Sequence, residues 1–443
     1  MKLMKSRYIA YFLLLLVAVS CEPKLDDFKP SAGSADFSKY ISLGNSLTAG
    51  YADGALYLTS QTYSYPNMIA QQMKLAGGGE FKQPLMFDEL GFGGKRILKL
   101  NPALDCSGNP VAGAPPSLGP VLAEGTPDAR NFTSIAADGP YNNLGVPGAK
   151  SFHLLAPNYG LLNPYFGRFA TNPQTTSVLA QAMEMNATFF SLWIGNNDVL
   201  SYALAGGAAE EITSQDLFSG AYASLLDGLT ANGAKGMVAS IPNVTSVPYF
   251  TTVPYNGLVL TEQTQVDLLN QAYGNNVYGI SFKIGQNPWV VADPFSPNGI
   301  GMRQLKSNEL VLLSIPQDSL RCRGWGSQKP IPGYFILDES EIASITIAVD
   351  NYNQTIKSLA ETKGLAFADA NLFMKNAKSG LVYDGMRFST SFVTGGVFSL
   401  DGIHLSPRGN AIIANFFIDA INEKYNANIP HVNISDYPGI IFP

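Results

Sequence analysis

The strongest constraint on the fold is a set of short, almost wholly apolar runs, each closed by glycine or a small polar turn. Residues 188–194, Thr-Phe-Phe-Ser-Leu-Trp-Ile, lack the alternation of a strand with one wet face. Such a run suits a central strand of a parallel sheet, covered on both sides. Residues 40–43, 236–241 and 365–369 read the same way. Residues 141–148 read as a shorter strand that breaks at two glycines and leads into a helix from about Ala149. Helical spacing fills the intervals. Residues 65–75 carry Pro66 near the start and stop at Gly77-Gly78-Gly79. Leu217, Ala221, Leu225 and Leu229 fall on one face of a helix over 216–229. Ile342, Ile345, Val349, Tyr352, Ile356 and Leu359 repeat after Asp338 and Glu339. Those two acids read as a cap at the positive end of a helix, not as metal ligands. Ser406-Pro407 opens a last helix with Ile413, Phe416, Phe417 and Ala420 inward. Strand and helix alternate, which predicts an α/β fold with a parallel sheet between two helical layers.

Two stretches interrupt the alternation, about 80–140 and 250–335. Both are rich in Pro, Gly and Asn, and only 261–273 within the second has helical spacing. Loops of that length often cover a site, and the first is expected to lie over the substrate cleft. The 443 residues suffice for one large domain with insertions or for two domains. A net charge of −6 with no basic tract argues against a nucleic-acid partner.

The amino terminus has the form of a targeting segment. Lys2, Lys5 and Arg7 precede an apolar run over 9–19 that is too short to span a bilayer. Ala18-Val19-Ser20-Cys21 then resembles a bacterial lipoprotein signal. The resemblance implies a signal peptide over 1–20, cleavage before Cys21 and lipid on that residue. The protein would be anchored to the outer membrane, on its periplasmic or cell-surface side. An ordinary secretory signal cut nearby is the alternative. Residues 21–37 read as a flexible tether and 429–443 as a tail, leaving 38–428 as the main domain. Cys106 and Cys322 could pair in an exported protein or remain free thiols.

Ligands of parallel sheets bind at the carboxyl ends of the strands. Three expected strands end there in small polar turns, at Ser46, Gly148 and Asn197. A serine needs a base to act as a nucleophile. The chain holds three histidines, His153, His404 and His431. His153 follows a glycine turn near the expected cleft, and His431 sits in the tail. His404 stands three residues after Asp401 across Gly402, a spacing that lets the carboxylate fix the imidazole tautomer.

These blocks together resemble the SGNH (GDSL-type) hydrolase family of esterases and lipases. Gly44-Asn45-Ser46-Leu47 matches the first block, residues 143–148 the second, Gly195-Asn196-Asn197-Asp198 the third and Asp401-Gly402-Ile403-His404-Leu405-Ser406 the last. The resemblance implies a flavodoxin-like three-layer α/β/α sandwich with a mostly parallel five-stranded sheet and the two insertions added. It implies ester hydrolysis by Ser46, His404 and Asp401, with an oxyanion hole from the Ser46 and Gly148 backbone N–H groups and the Asn197 amide. No cofactor or metal is implied. The chain departs from the pattern at Asn45, where an aspartate is usual; that residue is not the triad acid. The expected substrate is a lipid or other acyl ester. A carbohydrate acetyl-esterase and a non-catalytic lipid- or glycan-binding lipoprotein are the alternatives.

Overall fold

Five buried strands form the sheet, and three of them end in the turns of Ser46, Gly148 and Asn197. The structure, a computed structural model, describes residues 28–383 and 385–443. The expected signal peptide, Cys21 and the tether as far as residue 27 lie outside the described residues. Strands β1 (Tyr40–Gly44), β2 (Asn143–Gly145), β3 (Phe189–Trp193), β4 (Lys235–Ala239) and β5 (Ala366–Ala368) form one sheet. Their order is β5-β4-β3-β1-β2, and every neighbouring pair is parallel. The chain leaves β1 toward one edge and then builds the other three strands on the opposite side. That reversal between β1 and β3 is where such sheets open a crevice.

The helices that matter here are α1 (Ser46–Ala49), α2 (Tyr65–Leu75), α3 (Val178–Glu184), α4 (Asn197–Leu204), α5 (Gln215–Thr230), α6 (Glu339–Thr362) and α7 (Pro407–Tyr425). α7 packs with α2 in one layer, while α3, α5 and α6 pack together in the other. The sandwich is therefore three-layered, with a wholly parallel sheet. Polar groups inside it are matched: Tyr40 and Ser191 share a 2.7 Å hydrogen bond, and Ser191 donates to Ser42 at 2.8 Å. Asp338 caps α6 as expected. Its Oδ1 accepts from the Glu341 N–H at 2.9 Å, and its own N–H donates to Glu341 Oε2 at 2.7 Å.

Several expectations are corrected. In α5 the inward residues are Phe218, Ala221, Tyr222, Leu225, Leu226 and Leu229, whereas Leu217 is 48% exposed. Phe218 stacks on Tyr352 of α6 at 3.9 Å, and this aromatic contact sets the rotation of the helix. The segment after Ala149 is a 3-10 helix, Ser151–Leu155, followed by short turns of helix. The last part of the tether is packed, since Phe37 is buried and Ser31 bridges to Asn428. Ile429, Val432 and Ile434 of the tail join the main core.

Neither insertion is structureless. Arg96–Asn101 and Ser117–Leu122 form an antiparallel hairpin in the first. The second builds two small apolar clusters, around Leu260 and around Trp289. A Cys106–Cys322 disulfide joins the two insertions.

Candidate active site

Ser46 owes its position to the glycine before it. A methyl group on Gly44 would lie 2.1 Å from Thr48 Oγ1 and 2.4 Å from the Trp193 carbonyl. Only glycine lets β1 pass that close to β3 and turn at once into α1. Asn45 caps α1, its Oδ1 accepting from the Leu47 N–H at 3.0 Å, and its Nδ2 donates to Asn196 Oδ1 at 3.2 Å. A carboxylate could make only the first bond, which gives the departure at Asn45 a structural role.

His404 comes from the loop before α7. Its Nε2 lies 2.8 Å from Ser46 Oγ and its Nδ1 lies 2.8 Å from Asp401 Oδ2. An ionised carboxylate only accepts, so Nδ1 carries the proton and Nε2 accepts from the serine hydroxyl. Asp401 Oδ2 also accepts from the Gly54 N–H at 3.0 Å. Its Oδ1 accepts from Ser399 Oγ at 3.1 Å and from the N–H groups of Ile403 and His404, both at 2.9 Å. Burial alone would push this carboxyl up. Attraction to His404 in its protonated form and the donated hydrogen bonds outweigh it and hold the group well below the ordinary carboxylate range.

A second layer fixes this loop. Asp53 Oδ1 accepts from the Leu400 N–H at 2.8 Å, its Oδ2 accepts from the Tyr57 hydroxyl at 2.7 Å, and its N–H donates to Ser399 Oγ at 3.0 Å. Burial raises the Asp53 pKa, with Asp401 adding to the effect. The Tyr51 ring lies 4.7 Å from the His404 ring. Sequence reasoning missed Tyr51, Asp53 and Ser399, because no local pattern marks residues that reach the loop only through the fold.

Asn197 is tied to the residue that follows Gly148. Asn197 Nδ2 donates to the Ala149 carbonyl at 2.9 Å. Ser151 donates to the buried Asp198 through its N–H at 2.8 Å and its hydroxyl at 2.7 Å. Burial raises the Asp198 pKa, and these bonds oppose it. Gly148 has φ +80°, a conformation that favours glycine. Among the described residues, neither the Ser46 nor the Gly148 N–H donates to another protein group. An amide nitrogen has two protons, and Asn197 uses one. Three donors therefore remain uncommitted on this side.

The other histidines stand apart. His153 accepts from the Lys150 N–H at 3.1 Å and stacks on Tyr159 at 4.8 Å; burial, then the Lys150 charge, lowers its pKa. His431 hydrogen-bonds to Asp419 at 2.7 Å. Among the described residues no group of three His, Cys, Asp or Glu side chains is disposed to hold a metal ion.

Ser46, Asn197 and His404 stand in the wall of a cavity of about 60 Å³. The rest of the wall is mainly apolar and includes Leu47, Trp193, Leu200, Val244, Met374 and Phe398. No residue of either insertion lines it, so the expectation that the first insertion covers the cleft does not hold for this cavity. The first insertion approaches from the Tyr51 side, where Phe92 packs on Tyr165 at 4.6 Å and Tyr165 on Tyr51 at 6.3 Å.

No protein-family model and no curated protein matches the chain. Among solved structures it is similar to a proposed GDSL-like lipase from Parabacteroides merdae, at 10% identity and TM-score 0.36, over 89% of this chain and 99% of that one. It is similar to an extracellular lipase from Streptomyces rimosus, at 13% identity and TM-score 0.33, over 87% and 98%. A third is an acetyl-xylooligosaccharide esterase variant from Geobacillus stearmophilus, at 10% identity and TM-score 0.35, over 88% and 96%. None of these superpositions reaches a TM-score that bears on activity.

Proposed function

We propose that the protein is a serine ester hydrolase of the SGNH type that cleaves short acyl esters without a metal or cofactor. The observation that carries this reading is the relay of two 2.8 Å contacts, Ser46 to His404 and His404 to Asp401, at the mouth of an apolar cavity.

The Ser46 oxygen attacks the ester carbonyl as His404 Nε2 takes its proton. Asp401 holds the tautomer and stabilises the imidazolium. Negative charge developing on the carbonyl oxygen falls to the uncommitted donors of Ser46, Gly148 and Asn197, a type of contact that is worth roughly 3 kcal/mol when one donor is lost. His404 then protonates the leaving alcohol, the acyl group stays on Ser46, and water releases it by the same relay.

The cavity favours an acyl chain over a sugar, since its wall beyond the site is mainly hydrocarbon. Its small volume suits a short acyl chain. Turnover of 4-nitrophenyl butyrate by the wild type, lost in Ser46→Ala, is the expected result. No turnover by the folded wild type would favour a non-catalytic binder.

Export and lipid attachment at Cys21 are proposed on the sequence of residues 2–21. Incorporation of an alkyne-labelled fatty acid, abolished in Cys21→Ala, tests that. Labelling that survives the substitution would contradict it.

A further inference from the structure

Arg96 is a half-buried guanidinium on the first insertion. Among the described residues its side chain makes no hydrogen bond and no ion pair. Its neighbours are committed elsewhere. Lys95 pairs with Glu89 at 3.2 Å and lies over the Tyr57 ring at 3.6 Å, and Asp53 is taken by Leu400 and Tyr57. Leaving a partly desolvated cation unpaired is costly, and an anionic ligand removes the cost.

Three neighbours fix where this charge sits. A methyl group on Gly54 would lie 2.1 Å from Arg96 Nη1, so the guanidinium rests on that residue, whose N–H donates to Asp401. The charge also acts on the hydroxyls of Tyr51 and Tyr249. Tyr51 packs on the His404 ring, and the Tyr249 N–H donates to the Gly402 carbonyl at 2.9 Å. Arg96 therefore overhangs the Asp401–His404 turn. It borders a cleft of about 410 Å³ shared with the carboxylates of Asp53 and Glu89, with Lys95, Ser399 and Leu400, and with the C-terminal residue Pro443, and it is absent from the wall of the acyl cavity.

The acyl chain occupies the apolar cavity. The alcohol must lie against the imidazole that protonates it. We infer that Arg96 receives an anionic group, a phosphate or a carboxylate, carried by the alcohol half of the substrate. A guanidinium presents a planar fork of donors to either oxyanion. The inference rests on the hydrolytic reading above and narrows it to esters of anionic alcohols.

The test compares kcat/KM for hexanoyl glycerol with that for hexanoyl glycerol 3-phosphate and for hexanoyl glycerate. In the wild type the anionic esters are expected to be preferred, and the preference should shrink as NaCl is raised. Arg96→Gln should lower the anionic-to-neutral ratio by about tenfold, mainly through KM, and Arg96→Lys should keep most of it. The better anionic ester names the group. Should Arg96→Gln fail to fold, the salt series on the wild type decides alone. A ratio that ignores both salt and Arg96→Gln, with all three esters hydrolysed, would overturn this inference only. No turnover of any of them would overturn the hydrolytic reading and this one with it.

Discussion

The Gly54 N–H donates to Asp401 Oδ2 at 3.0 Å across 347 residues of chain. The segment that leaves Ser46 thus returns to hold the acid that orients His404. Ser46 and the Asp401–His404 turn are not two loops that happen to meet. They are fastened by Gly54 and by Asp53, which grips Ser399 and Leu400 of the same turn.

Asp401 couples that fastening to pH. Its folded pKa lies well below the ordinary 3.8. The ionised carboxylate therefore stabilises the fold above 3.8, and the contribution is lost as pH falls through the folded pKa. Asp401→Asn should be less stable than the wild type at neutral pH, and the gap should narrow below pH 3.8. Thermal unfolding against pH reads this; a gap that stays constant into acid would contradict it. Turnover in the same variant should fall by about four orders of magnitude.

Asn197→Ala removes one uncommitted donor and the bond to the Ala149 carbonyl. The expected loss is about two to three orders of magnitude in kcat with KM little changed. Steady-state kinetics on a 4-nitrophenyl ester measure it. A pure KM effect would place the amide outside the transition state.

Chain-length preference tests the cavity. Val244 is buried in its wall, and Val244→Phe fills it. Across 4-nitrophenyl esters from acetyl to palmitoyl, the wild type should prefer short chains longer than acetyl, and the variant should lose about tenfold on hexanoate relative to acetate. A wild type that prefers acetate would return the carbohydrate acetyl ester as substrate.

The Cys106–Cys322 disulfide joins the two insertions over a separation of 216 residues and touches no strand of the sheet. Loop-closure entropy puts its contribution at about 5 kcal/mol. The double variant Cys106→Ser/Cys322→Ser should lose several degrees in Tm while keeping its initial rate at room temperature. Differential scanning calorimetry beside an ester assay checks both, and an inactive but folded variant would mean that the clasp shapes the site.

The sheet was legible because its strands are buried on both faces, so residues 188–194 announce themselves without any neighbour. Ser46, Asp401 and His404 were legible for a related reason: each sits on a turn whose residues are dictated locally. What failed was what only packing decides. Leu217 and Phe218 are equally apolar, and the contact of Phe218 with Tyr352 turned the helix. The Arg96–Asn101 hairpin escaped notice because Gly119 and Pro120 blur the alternation of its partner strand. Asp53 and Arg96 carry no local signature, since each reaches the Asp401–His404 turn only when the segment after Ser46 and the first insertion fold back against it.

The most direct measurement is covalent labelling with a fluorophosphonate, read by peptide mass spectrometry. The account predicts a single adduct on Ser46, with the labelling rate in His404→Ala lower by about three orders of magnitude. A folded wild type that takes up no probe, or labels at full rate without His404, would contradict it.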